Sequence, residues 1–509
     1  MNIKNKRFLR ILTSILILTL LSVLFACQPQ KEPEQSNNTT AEVMSGDTME
    51  SDNAIDEHIY PNLPDQDFGG YTFTFLTRTI NDPNWADANH RDLFAEEQNG
   101  EAINDAVYTR NRIIEAKYNF TIQEIVTTNF VGDVSKTVSA GDATYDAVFP
   151  HVAGELATLS TAGCLRNLFS IPYMDLTQPW WSQGFIRDLS IGGKLYAIQS
   201  DLTILDNDSI SAMIFNKKLT KDLELTDPYE LVKSGKWTLD NMYSMIKAAS
   251  KDLNGDSKMD TLDDRFGMIA QADSGLSFLY GAGERVAGKD EKDYPALAFN
   301  KDRVYSVLEK VSEIMLDTDN VVDWHREGEG RFNTTEQSLH MIQSDLCLFS
   351  WIRMRVVEKL RGMETDFGIL PIPKYDEVQE RHWSQVNSNM GDALAIPVTG
   401  SDEDTERTGI ILEALTAESK YTLQPAYYDI NLYGKYVRDE ESGDMLDIIL
   451  NTTMYDLGEV YGFGGFAGNT LLWYPTQQKT DYASAYDKAE SKMQKDIDKI
   501  IDQYMDIDS

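Results

Sequence analysis

Between residues 252 and 263 the chain runs Asp252-Leu253-Asn254-Gly255-Asp256-Ser257-Lys258-Met259-Asp260-Thr261-Leu262-Asp263. Side-chain oxygens stand at the first, third, fifth, ninth and twelfth places of that stretch, and Lys258 at the seventh offers a backbone carbonyl. A hard cation such as calcium takes six to eight oxygens, and this spacing wraps a short loop around one. Asp252, Asn254, Asp256, Lys258, Asp260 and Asp263 are therefore the expected ligands of a structural calcium, with Met259 turned inward as an apolar anchor. Two places depart from the usual loop: Ser257 occupies the sixth position, and the short arm of Asp263 the twelfth. The same residues also make an Asx-rich surface turn that needs no metal.

Catalytic constellations are sparse. The chain has no Gly-x-Ser-x-Gly, no phosphate loop and no His-Glu-x-x-His, which removes the commonest hydrolase, nucleotide and zinc-protease signatures. Six histidines are scattered without ligand spacing. Gly462, Gly464 and Gly465 interleave with Phe463 and Phe466, lack a following Lys-Ser/Thr, and read as a flexible aromatic loop. Acids number 82, so a carboxylate pair beside any cleft is expected from composition alone, and counting does not exclude a polysaccharide-cleaving enzyme. The formal charge of −36 repels nucleic acid and argues against it as a partner.

The N-terminus carries a different kind of chemistry. Lys4, Lys6, Arg7 and Arg10 precede an apolar run from Ile11 to Ala26 that ends Leu24-Phe25-Ala26-Cys27. A basic start and a short apolar run make a secretory signal, too short for an ordinary membrane span. A small residue before a cysteine resembles a bacterial lipobox, with Cys27 as the lipidated first residue of the mature chain; the alternative is an uncleaved anchor helix. Losing the four basic residues of the leader takes the charge from −36 to −40. Residues 27–66 form an expected disordered tether, since Gln28 to Asn53 is nearly free of large apolar residues. Cys164 and Cys347 both lie among apolar neighbours and are expected as buried free thiols, with a disulfide as the alternative.

Beyond the tether, about 440 residues suggest two or three domains or lobes. Tyr71 to Leu76 alternates aromatic and polar residues as a strand does. Ala102 to Lys117 has apolar positions near helical spacing. Phe120-Thr121-Ile122 begins a second strand, Tyr145 to Pro150 is a third, and a helix is expected from Ala153. Strand-helix-strand order implies a largely parallel sheet flanked by helices, with ligands held beyond the carboxyl ends of its strands. Trp85 and His151 stand in loops at such ends. Gly192 to Ile198 reads as a hairpin-like entry into a strand. Thr238 is the expected N-cap of a helix carrying Met242, Met245, Ile246 and Ala249, and Trp237 beside it is assigned to the core. Leu346 to Phe349 is a buried strand, Phe367 to Pro373 an extended segment. Tyr486 to Tyr504 makes a terminal amphipathic helix packed on the body.

Several segments resemble the family 1 extracellular solute-binding proteins of bacterial ABC importers, in their sugar-binding branch. They are Asp67 to Tyr71, Gly193 to Ile198, Phe215-Asn216-Lys217, Pro228 to Val232, Ser234 to Thr238, Phe367 to Tyr375, and Arg438 to Ser442 with Met445 to Ile449. Their order spans residues 67 to about 505. The calcium stretch is likewise similar to EF-hand-like or dockerin-like loops. The family resemblance implies an α/β, two-lobed periplasmic-binding-protein-like (type II) fold closing on a ligand between its lobes. It implies lobe 1 over 67–200, lobe 2 over 201–390 including 252–263, a return to lobe 1 over 391–435, and a C-terminal helical portion over 436–509. The crossings between lobes are expected near Ile198 to Asn207 and Gly391 to Pro397.

The same resemblance implies a non-catalytic monomeric receptor on the extracellular face of the cell membrane, held by its lipid anchor. It would capture a carbohydrate, an oligosaccharide by preference, and pass it to ABC permease subunits. The alternatives are a lipid-anchored polysaccharide-cleaving enzyme and a receptor for a peptide or other polar solute. Sugars are bound by stacking aromatic rings on their C–H faces and hydrogen-bonding their edges. Trp85, Trp351 and Trp383 are the stacking candidates, each weighed against ordinary core packing. Asp201 and Asp206 at the first crossing are candidate hydroxyl acceptors, with His151, Arg353 and Asn387 completing the set. Trp180 and Trp181 are ambiguous, and Trp473 is unassigned.

Overall fold

The computed structural model describes residues 58–78, 90–327, 334–360, 363–428 and 440–507. The leader, Cys27, most of the tether and Trp85 therefore lie outside the described residues. The first sheet consists of β1 (Tyr71–Arg78), β2 (Phe120–Thr127) and β3 (Ala147–Val148), all parallel, in the order β2-β1-β3. Parallel neighbours need a crossover connection, and the helix Ala102–Tyr118 supplies the one between β1 and β2. As the central strand, β1 is covered on both faces, and Phe73, Phe75 and Leu76 are all buried.

The second sheet begins with β4 (Ser211–Asn216) and β5 (Phe266–Ala270). The short antiparallel pair β6 (Ala287–Lys289) and β7 (Pro295–Leu297) follows. Then come β8 (Val321–Asp323), β9 (Cys347–Arg353) and β10 (Phe367–Leu370). Its order is β10-β4-β9-β5-β8, with β4 antiparallel to β10 and β9, and β5 parallel to β9 and β8. The helix Leu239–Ala249 lies against β5 so closely that a Cβ at Gly267 would stand 2.1 Å from the carbonyl oxygen of Ile246. Only glycine permits that approach. The helix starts where expected: Asn241 N–H donates to Thr238 Oγ1 at 3.3 Å, a side-chain N-cap. Trp237 is buried, and its indole donates to the Pro371 carbonyl at 2.8 Å.

Two segments run between the sheets. Ile198 pairs with Leu394, and Ala395 with Val148 of β3, so residues 394–395 return to the first sheet. The helix Asp402–Ser419 packs on Ala102–Tyr118. Arg110 locks this corner. It is fully buried and donates to the carbonyls of Asp92, Leu93 and Leu202 at 2.9, 3.1 and 3.0 Å, to Ser419 Oγ at 3.2 Å and to Asn111 Oδ1 at 2.9 Å. A buried guanidinium is tolerable when its donors are spent in this way. Farther along, β11 (Ser384–Gln385) pairs with β12 (Thr453–Met454). The terminal helix Tyr482–Asp506 buries Tyr482, Tyr486, Met493, Ile497 and Tyr504.

One expectation needs correction. Residues 462–466 are no flexible loop: Phe463 and Phe466 are buried in a tight run held by the terminal helix, with Gly464 N–H donating to Asp496 at 2.9 Å. The glycines serve close packing, since a Cβ at Gly464 would reach 2.6 Å from Met493. Cys164 and Cys347 are buried free thiols.

Candidate functional site

The carboxyl ends of strands from both sheets converge on residues 387–392. From the first sheet, β3 leads into His151, whose Nδ1 meets Asp392 Oδ1. The backbone N–H groups of Val152 and Ala153 donate to the carbonyls of Gly391 and Ser388 at 3.0 and 2.7 Å. The end of β1 contributes Arg78, ion-paired to Glu155, and Glu155 also accepts the His151 N–H at 3.0 Å.

The second sheet approaches the same segment. β9 ends in Arg353, which pairs with Asp273 and reaches Met390. Asp273 lies in the first turn of the helix that follows β5, and Asn387 donates to it at 3.4 Å. β8 runs into Trp324 and His325, whose rings stack at 3.6 Å and 24°. Trp324 donates to Gln271 at 3.2 Å. His325 Nδ1 accepts the Ala272 N–H at 3.0 Å, while its ring meets Trp473 edge-on at 5.3 Å. Trp324, His325 and Trp473 are all partly exposed. Burial lowers the His325 pKa against the opposing charges of Asp323 and Asp273, which favours the neutral ring, and the Ala272 N–H selects Nδ1 as its acceptor nitrogen.

A charged chain backs this group. Asp392 accepts from His151 on one oxygen and lies 3.2 Å from His90 Nε2 on the other. His90 Nδ1 stands 2.9 Å from Asp92. Burial opposes a charge on His90, yet Asp92 and Asp392 outweigh it and push its pKa up to about 10. Burial likewise opposes the Asp392 carboxylate, but His151 and His90 hold it well below the usual carboxylate range. The chain thus presents alternating charges, fixed by burial, behind a set of partly exposed Arg, Asp and Glu groups and the buried amide of Asn387.

Of the residues singled out in the sequence, His151, Arg353 and Asn387 belong to this group. Trp351 lies in β9 but is 5% exposed, so it offers little face for stacking as it stands. The cations over the Trp383 ring are Arg381, Arg187 and Arg285 at 3.7, 5.5 and 5.7 Å, none of them in the group. Asp201 and Asp206 line a different cavity. Trp180 and Trp181 are buried and donate to Glu413 at 3.2 and 3.0 Å. Sequence reasoning missed Arg78, Glu155, Asp273, Trp324, His325 and Asp392. The signal for three of them was the short apolar strands β5 and β8, after which Asp273, Trp324 and His325 follow directly.

In the loop 252–263, the carboxylates accept the loop's own amides. Asp252 takes the N–H groups of Gly255 and Ser257 at 2.6 and 2.8 Å, and Asp256 that of Lys258 at 2.8 Å. Ser257 sits at φ 64°, the left-handed turn expected at the sixth position. Asp263 is exposed, and the buried Asp264 closes the loop by accepting from Leu253 and Asp260 at 2.8 and 2.9 Å. Among the described residues no three His, Cys, Asp or Glu side chains converge as a metal set.

No family model matches the chain, and no curated protein matches it. Solved structures do. An ABC substrate-binding protein of Listeria monocytogenes in complex with cycloalternan superposes with a TM-score of 0.51 at 10% identity, over 84% of this chain and 98% of that one. A cyclo/maltodextrin-binding protein complexed with maltotetraose gives 0.53 at 12%, over 84% and 97%. UspC of M. tuberculosis gives 0.54 at 12%, over 83% and 100%. The chain has the two-lobed, periplasmic-binding-protein-like α/β fold of these solute-binding proteins.

Proposed function

We propose that this chain is a lipid-anchored extracellular receptor that captures a carbohydrate and delivers it to an ABC importer. One observation carries the reading: in a fold shared with sugar-binding receptors, strand ends from both sheets bring paired charges to one segment, residues 387–392, and half-open aromatic rings lie against Gln271 and Ala272, next to the Asp273 that reaches it. Vicinal hydroxyls suit such pairs, because one hydroxyl donates to Asp273 while its neighbour accepts from Arg353. Trp324 and Trp473 supply apolar faces for the sugar's C–H groups. A ligand touching groups from both sheets binds the closed form better, and that difference in affinity is what would close the lobes. The receptor acts as a monomer and leaves its ligand unchanged.

The test is calorimetric titration with a panel of oligosaccharides, including maltotetraose and cycloalternan, followed by mass analysis of the recovered ligand. One-to-one binding of an intact saccharide is expected, weakened by about 1–3 kcal/mol in Trp324→Ala. Recovery of cleaved saccharide would replace the receptor with an enzyme. Binding of a peptide and of no saccharide would replace its ligand class.

A further inference from the structure

The terminal helix Tyr482–Asp506 runs 25 residues without a glycine or a proline, a span of about 37 Å at the helical rise. Glycine and proline are the usual sites of a kink, so a helix lacking both moves as one stiff rod. Its two ends rest on different lobes.

The first end stands on the lobe of the second sheet. The hydroxyls of Tyr482 and Ser312 lie 3.1 Å apart, and Ser312 belongs to the helix Lys301–Met315 that leads into β8. Tyr486 stacks on Phe299 at 4.2 Å and 24°, and Lys301 reaches Asp487 and Glu490 at 3.3 and 3.4 Å. Just before the helix, Thr476 donates to Asp323 of β8 at 2.7 Å. The other end stands on the lobe of the first sheet. Tyr504 is buried, and its ring meets Tyr196 edge-on at 5.2 Å. Its hydroxyl meets that of Tyr461, and its carbonyl accepts from Lys194 Nζ. Lys194 and Tyr196 lead into Ile198, which pairs with Leu394 on the return to the first sheet. The helix Glu155–Thr161, which follows β3, also packs against the terminal helix.

Close-packed contacts do not deform continuously. A rotation of one lobe against the other must therefore slide one foot of this rod or break it. The hairpin β6–β7, which packs on the same helix, adds a second tie: Asp293 accepts the Gly192 N–H on its carbonyl at 2.9 Å and the Gly193 N–H on its carboxylate at 3.0 Å. That tie is a loop contact at the surface, where water replaces a broken hydrogen bond at little net cost. Buried rings at both ends make the helix the stiffer link. We propose that the terminal helix is an interlobe strut that restrains the angle between the lobes before any ligand arrives.

Spin labels test it. Ala116→Cys in the helix Ala102–Tyr118 and Ala248→Cys in the helix Leu239–Ala249 put one exposed label on each lobe. Cys164 and Cys347 are buried, and Cys27→Ala removes the remaining thiol. Double electron–electron resonance then reads the interlobe distance with no ligand present, so the outcome is independent of the saccharide reading. Tyr504→Ala and Tyr486→Ala, one at each foot, should each broaden the distance distribution of the parent chain. A strut severed at one end restrains nothing, so the double variant should be no broader than the broader single one, whereas two independent packing defects would add. Lys194→Met leaves the buried rings in place and should broaden the distribution less, in the same sense. It decides the matter should a tyrosine variant fail to fold, which circular dichroism reports. A distribution unchanged in the folded variants, or broadening that adds in the double variant, overturns the strut.

Discussion

Replacing His90 by alanine tests the charged chain that backs the candidate site. The imidazole is buried, 2.9 Å from Asp92 and 3.2 Å from Asp392, and its ring packs on Phe149 at 4.8 Å. Removing it strands two carboxylates whose side chains are 1% and 3% exposed. Asp92 keeps the Ile204 N–H at 2.6 Å, and Asp392 keeps His151. Neither keeps a buried positive charge between them. Breaking a buried ion pair by removing one partner costs about 3–5 kcal/mol, and lost ring burial adds to it.

The pH dependence has a definite sign. Burial disfavours the His90 proton, but Asp92 and Asp392 prevail and hold the folded-state pKa at about 10, above the roughly 6.5 of a free imidazole. The proton therefore stabilises the fold fully below about pH 6.5, and that contribution fades as pH rises toward about 10. Urea unfolding followed by tryptophan fluorescence should show the full deficit of His90→Ala near pH 6 and a smaller one near pH 10. A deficit of the same size at both pH values would mean that His90 is neutral in the fold and that packing alone explains its burial.

Two further outcomes follow from the chain outside this centre. If the loop 252–263 takes calcium, as we propose from its spacing and the left-handed Ser257, EDTA should lower the melting temperature, calcium should restore it, and Asp256→Ala should abolish the response. An EDTA-insensitive melt in low calcium would leave the loop as a self-capped turn. If Cys27 carries the lipid, Cys27→Ala should leave a folded receptor in the soluble fraction of fractionated cells, and a variant that stayed with the membrane would refute the anchor.

The parts of the fold readable in advance are those with periodicity or a local capping rule. β1 and the helix Ala102–Tyr118 follow their alternation and their 3.6-residue spacing, Thr238 caps Leu239–Ala249, and the terminal helix keeps its stripe from Tyr486 to Tyr504. Each of these signals is carried by neighbours along the chain. β5 and β8 carry no such signal: Phe266–Ala270 and Val321–Asp323 are short and buried at every position, so nothing alternates. Missing them hid the residues that follow, and the ligand rule for parallel sheets can be applied only once the strands are known.

Arg110 and Glu413 show the other reason for the gaps. Arg110 looks like one more charge on an amphipathic helix, and Glu413 like a polar interruption in Ile410-Ile411-Leu412-Glu413-Ala414-Leu415. Each is buried because distant segments aim complementary groups at it: the carbonyls of Asp92, Leu93 and Leu202 for Arg110, the indoles of Trp180 and Trp181 for Glu413. Burial pushes the Glu413 pKa up to about 7 despite those donors, as expected for a carboxyl whose partners are neutral. The partners lie 17, 18 and 92 residues away for Arg110, and 233 and 232 residues away for Glu413. The same logic assembles the candidate site, where His151 meets Asp392 across 241 residues and Arg353 meets Asp273 across 80. Residue type marked His151, Arg353 and Asn387 as able to bind a polar ligand; only the meeting of two sheets at residues 387–392 decides which of the chain's many acids stand beside them.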